Sequence, residues 1–330
     1  MNPFSSVMNA INRDLMKNPI NILSFTTHEG FQNSMAMGNL CRYTHVPNPE
    51  GKKWDEDYRV MPRNIIEVDS VTKALNIDVV LSHTLNQRGI ASDISRALNV
   101  KHIFLNHIFP DRSWADHMIK SCKEDNNADV TVFTTAEQRD MWNYSESDSI
   151  IIPHGINTNI YQGHNPVSMR ILTAANYYKE RGKELGYDFY TDLKELINDE
   201  EMFLHVGKSS DGSSKAHEEI DLIQIYQSSG VFLNTAIRSV LPTTLLEAMS
   251  VGMPVVTTRN KTIEKLVVHE YNGYVVDTPE EAMVAIESIM NDKDLAQQLG
   301  KNASDTIERH YNINSFGSRW VNLFKEMAHA

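Results

Sequence analysis

The stretch SVLPTTLLEAMSVGMPVV, Ser239–Val256, decides the fold. Pro242 suits the start of a helix, Thr243 or Thr244 suits its cap, and Gly252 suits its end before Pro254. Leu245, Leu246, Met249 and Val251 supply the packing residues, and MPVVTT at 253–258 reads as a strand that follows almost at once. A short helix delivered straight into a Val-rich strand is the unit from which parallel α/β sheets are built. Glu247 is the only charge in the stretch. An unpaired carboxylate is costly to bury. Glu247 is therefore either a solvated glutamate about one turn into the helix, near its positive end, or a residue that accepts hydrogen bonds from a ligand's hydroxyls.

Working outward, the same alternation covers the chain. NILSF at 21–25, DVVLSH at 78–83, KHIFLNH at 101–107, DVTVFTT at 129–135 and SIIIPHG at 149–155 are compact apolar runs. Segments of helical spacing separate them, such as LNQRGIASDISRAL and AEQRDMWNY. The region YQGHNPVSM at 161–169 reads as a linker. The pattern then restarts with RILTAAN at 170–176, EMFLHVG at 201–207, GVFLN at 230–234, MPVVTT and GYVVD at 273–277, and it is helical from about Pro279 on. Runs that are apolar on both faces fit sheets covered by helices on both sides. The expectation is an α/β protein of two Rossmann-like domains facing a central cleft. Residues 1–165 form an N-terminal domain, residues 166–312 a C-terminal domain, and 313–330 a C-terminal helix. Ligands of doubly wound sheets bind beyond the carboxyl ends of the strands.

Composition narrows the function classes. With 330 residues, 41% apolar and 22% charged, the chain is of ordinary globular type. Its net charge of −12 attracts neither phosphate polymers nor anionic lipid, so a nucleic-acid or membrane acceptor is disfavoured. Two cysteines, Cys41 and Cys122, form no metal-type or redox pair and fit a reducing cytoplasm. The start, MNPFSSVMNAINRDLMKNP, has no continuous apolar core of the signal-peptide kind. No apolar run approaches the ~20 residues that span a bilayer. A cytoplasmic protein without stable membrane insertion is expected; oligomeric state carries no signature.

Several residues are candidates for anion binding. Gly30, in THEGFQNSMAMG, lets backbone approach a ligand at a helix start, although many such glycines serve geometry alone. Neither GxGxxG nor GxxxxGK[ST] occurs. Arg181 and Lys183 follow the strand at 170–176, where cations grip a diphosphate or simply decorate a solvated helix start. Lys208 lies in the Gly/Ser-rich loop HVGKSSDGSSK, 205–215, either on a phosphate or on mobile surface. Asp55 and Asp57 of WDEDY make a D-x-D pair that reads as a solvated charge cluster rather than a metal site. Tyr177 and Tyr178 suit either stacking on a base or core packing. His83 and His154 read as structural or rim residues.

With these blocks in place, the chain resembles the retaining glycosyltransferases of GT-B fold, family 4-like, also called glycosyl transferases group 1. LPTTLLEAMSVGMPVVTT and EYNGYVVD match that family's donor-domain blocks in order and spacing, with IEKLVVHEYNG between them. ADVTVFTTAEQRDMWNYSESDSIIIPHGINTNIY is similar to the family's interdomain approach, with His154 where Asn is common. The resemblance implies transfer of a sugar, with retention, from a UDP- or GDP-sugar type of donor to a soluble small or polymeric hydroxyl acceptor. It implies no metal and no other cofactor. It also implies that residues 1–165 are the acceptor side and that the helix at 313–330 packs back on them. It makes Glu247 a ligand of the nucleotide ribose, Arg181 the phosphate-binding cation, and His107 the histidine that faces the transferred sugar. Gly30 becomes a loop position near the donor phosphates, and Thr244 and Leu245 positions whose amides reach sugar or diphosphate.

Two positions depart from the pattern. Ser239 stands eight residues before Glu247, where the family has a glutamate that contacts the donor sugar. Asn176 stands five before Arg181, where the family has an arginine. A smaller or unusual donor sugar accommodates both changes. For Asn176 alone, either the diphosphate grip is assembled differently, with Lys208 or Arg238, or affinity is reduced. Two alternatives stand beside the enzyme reading. One is a phage-type glycosyltransferase acting on hydroxymethylpyrimidine in DNA or nucleotides, against which the acidic charge argues mildly. The other is a non-catalytic GT-B nucleotide-binding or scaffold protein, which Ser239 and Asn176 favour.

Overall fold

The computed structural model describes residues 17–56, 59–166, 169–209 and 219–330. Packing divides the chain into two units, Met1–Gly155 with Ile313–Ala330, and Ile156–Asn312.

The first unit is a seven-stranded parallel sheet. Its strands are β1 (Asn21–Phe25), β2 (Arg42–Val46), β3 (Ile65–Glu67), β4 (Val79–Ser82), β5 (Lys101–Leu105), β6 (Val130–Phe133) and β7 (Ile150–Ile151), in the order β3-β2-β1-β4-β5-β6-β7. The crossovers include α1 (Glu29–Met37), α2 (Leu85–Leu98), α3 (Asp116–Glu124) and α4 (Ala136–Met141). Alternate strand residues serve opposite faces. Ile22, Val79, Leu81 and Ile103 join one apolar cluster, and Leu23, Phe25, Val80 and Ala91 join the other. The order reverses between β1 and β4, the doubly wound switch point where ligands bind at strand ends. Strands β2 and β3 carry no signal in the sequence reading. RYTHV buries Thr44 and His45 in place of an apolar run, and β3 is a three-residue edge strand.

The second unit holds β8 (Ile171–Ala174), β9 (Phe203–Val206), β10 (Val231–Asn234), β11 (Val255–Thr258) and β12 (Tyr274–Val276), in the order β12-β11-β10-β8-β9. The helices are α5 (Gly182–Leu185), α6 (Tyr187–Ile197), α7 (Glu219–Ser228), α8 (Thr243–Val251), α9 (Pro279–Asn291) and α10 (Lys293–His310). Leu172, Phe232, Val255 and Val275 pack with α8 and the Ala303/Ile307 face of α10, while Ile171, Leu233, Val256 and Val276 pack with α6 and α9. The switch point lies between β8 and β10.

The last helix, α11 (Ile313–Ala328), belongs to the first unit and buries Phe316, Trp320, Val321 and Phe324 in its core. Its close seat against α1 requires Gly317, since a Cβ there would lie 1.8 Å from the Gly38 carbonyl oxygen. The units part at Gly155/Ile156 rather than at 165/166, because residues 156–166 are tied into the second unit. The Ile156 N–H donates to the Tyr311 carbonyl (2.7 Å), Tyr161 is buried with its hydroxyl on Glu219 (2.8 Å), and the His164 N–H donates to Val251 (3.0 Å). The expected linker at 161–169 is thus anchored structure over its first part. Asp57, the chain start through residue 16 and most of the 205–215 loop lie outside the described residues. Among the described residues no helix is long and apolar enough to cross a membrane.

Candidate active site

Gly30 and His107 belong to the first unit; Arg181, Lys208, Ser239, Thr244, Leu245 and Glu247 belong to the second. Each group gathers at the carboxyl edge of its own sheet.

In the second unit, Pro242 itself occupies the N-cap of α8 and no side chain caps the helix, contrary to the threonine cap read from the sequence. The Thr244 hydroxyl is drawn instead to the Ala174 carbonyl at the end of β8 (3.0 Å), which ties α8 to the neighbouring strand. Leu245 is fully buried, and its N–H returns to Pro242 (3.2 Å). Gly252 ends the helix in the left-handed region, φ +90°. Glu247 is 3% exposed, which removes the solvated-glutamate reading. Its Oε2 accepts from the hydroxyl of Tyr226, a buried residue of α7, at 3.1 Å. That bond orients the carboxylate in the second turn of α8.

The loops after β8 and β9 are laced together. Asn176 Oδ1 accepts the Lys208 N–H (2.8 Å), and the Tyr177 N–H donates to the Lys208 carbonyl (2.6 Å). Gly207 is obligatory in this lacing: at φ +151° a Cβ would sit 2.0 Å from the Ala175 oxygen. Where the resemblance expects an arginine for the diphosphate, Asn176 is thus a structural tie that holds Lys208 in place. Tyr177 adopts a positive φ of 56° and leaves its ring 45% exposed, whereas Tyr178 is core, packed among Tyr187, Tyr190 and His205. Arg181 caps the four-residue α5 and pairs with Glu184 at 3.1 Å on the surface. The Glu184 carbonyl in turn accepts the N–H groups of Ile237 and Arg238 (both 3.0 Å), and Asn260 reaches the carbonyls of Ala236, Ile237 and Ser239 (3.4, 3.2 and 3.5 Å). The loop that carries Ser239 is therefore pinned from two sides.

In the first unit, Gly30 is the second residue of α1, buried, and a Cβ there would meet nothing closer than Arg59 Nε at 3.9 Å. The fold does not demand glycine at this position. Glu29 beside it is 4% exposed; Oε2 pairs with Lys52 Nζ at 2.7 Å, and Oε1 is buried without a hydrogen-bond partner. Three histidines stand where strands end: His83 after β4, His107 after β5 and His154 after β7. Phe31 of α1 lies among them, edge-on to His107 (4.8 Å between ring centres) and stacked on His154 (4.8 Å). His28 stacks on the His107 ring at 5.5 Å. His83 Nδ1 and His107 Nε2 are 3.1 Å apart. Burial, followed by the neighbouring rings, holds His107 well below the ordinary imidazole range, and burial pushes His83 and His154 down to about 3. The sequence reading makes His83 and His154 structural or rim residues. His154 is 4% exposed and packed, and His83 is buried with its Nδ1 against His107 Nε2. The available signal is the recurrence of histidine as the terminal residue of DVVLSH and FLNH. No group of three or more His, Cys, Asp or Glu side chains is placed to hold a metal among the described residues.

Residues 214–306 match the family Glycosyl transferases group 1. No curated protein matches the chain. Among solved structures, Anabaena HepE in complex with UDP and glucose superposes with a TM-score of 0.73 at 12% identity, over 93% of this chain and 99% of that one. Sucrose-phosphate synthase from Thermosynechococcus elongatus gives 0.67 at 13% identity over 93% and 98%. A glycosyltransferase from Rickettsia africae gives 0.64 at 14% identity over 94% and 99%. In fold the chain is a GT-B protein of two Rossmann-like units, and most of its second unit matches the glycosyl transferases group 1 family.

Proposed function

We propose that the chain is a nucleotide-sugar-dependent glycosyltransferase of the retaining, metal-independent kind, acting in the cytoplasm on a soluble hydroxyl acceptor. The observation that carries this reading is the group 1 match over 214–306, within which Glu247 is a buried carboxylate of α8 oriented by Tyr226. Anabaena HepE, which shares the fold and holds UDP and glucose, suggests the donor class. In the proposed reaction the bond from the anomeric carbon to the diphosphate oxygen breaks, and its electron pair stays with the diphosphate. The acceptor oxygen bonds to the same face of that carbon, and its proton passes to the departing phosphate oxygen. Arg181, Lys208 and the amides at the start of α8 support the developing diphosphate charge, Glu247 holds the ribose, Ser239 lies toward the sugar, and Gly30 leaves room near the phosphates.

Thermal unfolding with a panel of nucleotides and UDP- and GDP-sugars tests this reading. A donor at 100 times its Kd stabilises the fold by about 2.7 kcal/mol. Glu247→Ala should abolish the shift given by the free nucleotide. An undiminished shift in that variant removes Glu247 from the site. The scaffold reading draws its support from Asn176, which stands where the family has an arginine and whose Oδ1 accepts the Lys208 backbone N–H. Nucleotide binding without hydrolysis or transfer of any donor over a wide acceptor panel would favour it.

A further inference from the structure

We propose that His83 is a positioning residue which fixes the tautomer of His107, so that His107 presents an N–H at Nδ1 and is a hydrogen-bond donor to the ligand, not the base of the reaction. The argument begins at Gln32, whose amide orientation is forced. The backbone N–H groups of Thr27 and His28 both point at Oε1, at 3.0 and 3.1 Å, and an N–H can only donate. The other end, Nε2, is therefore the amide nitrogen. It donates to the Phe25 carbonyl (2.8 Å) and faces His83 Nε2 at 3.2 Å.

A nitrogen that faces the hydrogens of an amide must offer its lone pair. His83 Nε2 is then an acceptor, from Gln32 and from the Ser24 hydroxyl at 2.9 Å. The proton of the neutral ring sits on Nδ1 and is donated to His107 Nε2 over 3.1 Å. His107 Nε2 is thereby occupied as an acceptor, and its own proton sits on Nδ1, which has no partner among the described residues. A second glutamine fixes the other side of the His83 residue. Gln87 Oε1 accepts the His83 N–H (2.9 Å) while its amide donates to the Thr27 hydroxyl (2.7 Å), so the loop after β1 and the end of β4 are tied together.

The chemical consequence is directional. To receive a proton, His107 would have to take it at Nε2, where the His83 N–H already points. Reversing that bond would put an Nε2–H of His83 against the Gln32 amide. The arrangement accepts no added proton without breaking a hydrogen bond that is buried, with His83 1% exposed. What His107 offers is one neutral N–H, suited to a sugar hydroxyl or ring oxygen. This step rests on the glycosyltransferase reading. On that reading the acceptor's proton goes to the departing phosphate oxygen, and His107 is committed as a donor.

Long-range 15N–1H correlation of the histidine rings in the full chain reads the tautomers directly. Both His83 and His107 are expected as Nδ1–H forms from pH 8 to pH 6. In Gln32→Glu the carboxylate accepts from His83 Nε2–H, and both rings should invert to Nε2–H. An Nε2–H form of His107 in the wild type, or unchanged tautomers in Gln32→Glu, overturns the proposal. If that variant does not fold, His83→Phe and His83→Asn replace it. The phenyl ring cannot donate and should release His107 to a mixed tautomer, while the asparagine amide should restore Nδ1–H; equal spectra for the two overturn the proposal. These signals do not depend on turnover. Failure of every nucleotide sugar to bind would overturn the glycosyltransferase reading and leave the tautomer result standing.

Discussion

Acid should unfold the first unit before the second, and the magnitude follows from four buried imidazoles. His45, His83, His102 and His154 are each at most 4% exposed. Burial pushes His45, His83 and His154 down to about 3 and His102 to about 4, from an ordinary value of 6.5. Above pH 6.5 both folded and unfolded chains hold these rings neutral, and they contribute no pH dependence. As pH falls below that value the unfolded chain takes up protons that the folded unit refuses, so stability drops until the folded values near 4 and 3 are reached. Each ring costs about 1.4 kcal/mol per pH unit at full slope, and the four together about 5 kcal/mol per unit. By pH 5.5 the accumulated loss is about 5 to 6 kcal/mol, comparable with the whole stability of a domain, about 5–15 kcal/mol. All four tryptophans, Trp54, Trp114, Trp142 and Trp320, lie in the first unit. Tryptophan fluorescence in urea titrations between pH 8 and 5.5 therefore follows that unit alone, in a range where carboxylates remain ionised. His154→Asn, which removes one ring, should lower the slope by about a quarter. A stability that changes by less than one proton's worth over this range would refute the burial argument.

Three other perturbations test the packing. Gly317→Ala drives a methyl group into the Gly38 carbonyl and should cost about 3 kcal/mol or more in the first unit, with the second unaffected, by urea unfolding. Tyr226→Phe removes a hydrogen bond to the buried Glu247 carboxylate and should cost about 1–3 kcal/mol; a neutral result would show that the bond is dispensable. Tyr177→Gly relieves a left-handed backbone at an exposed position and should stabilise the second unit by up to about 1 kcal/mol, while removing the ring available to a base. If that variant gains stability and keeps full nucleotide affinity, the ring has no part in binding.

The strands that are legible in the sequence are those whose faces are both apolar. NILSF, DVVLSH and MPVVTT announce themselves because a parallel strand between helices must be hydrophobic throughout. RYTHV escapes because Thr44 and His45 are buried polar residues. The helix of LPTTLLEAM is legible to the residue, but its cap is not: local preference favours a threonine, and the long-range bond from Thr244 to Ala174 wins. For the candidate site, motif spacing singles out Glu247 and Arg181 as candidates. It does not find Gln32, Ser24 or His83, because a hydrogen-bond chain between residues up to 59 positions apart leaves no periodic trace. Asn176 is visible as a substitution, but its tie to Lys208 across 32 residues is not.

The return of α11 to the first unit bears on the order in which the protein can be made. A chain leaving the ribosome offers residues 21–155 before 156–330, yet the sheet face formed by Ile22, Leu81 and Ile103 lacks Phe316, Trp320 and Phe324 until α11 has emerged. The segment 156–312 is continuous and has its core complete once Ile307 has emerged. Domains usually fold in the order of their appearance, N-terminal first. Here the second unit can close while the first still waits for its last helix. Until α11 emerges the nascent chain carries an unroofed apolar sheet face, and that face is where a chaperone would be needed.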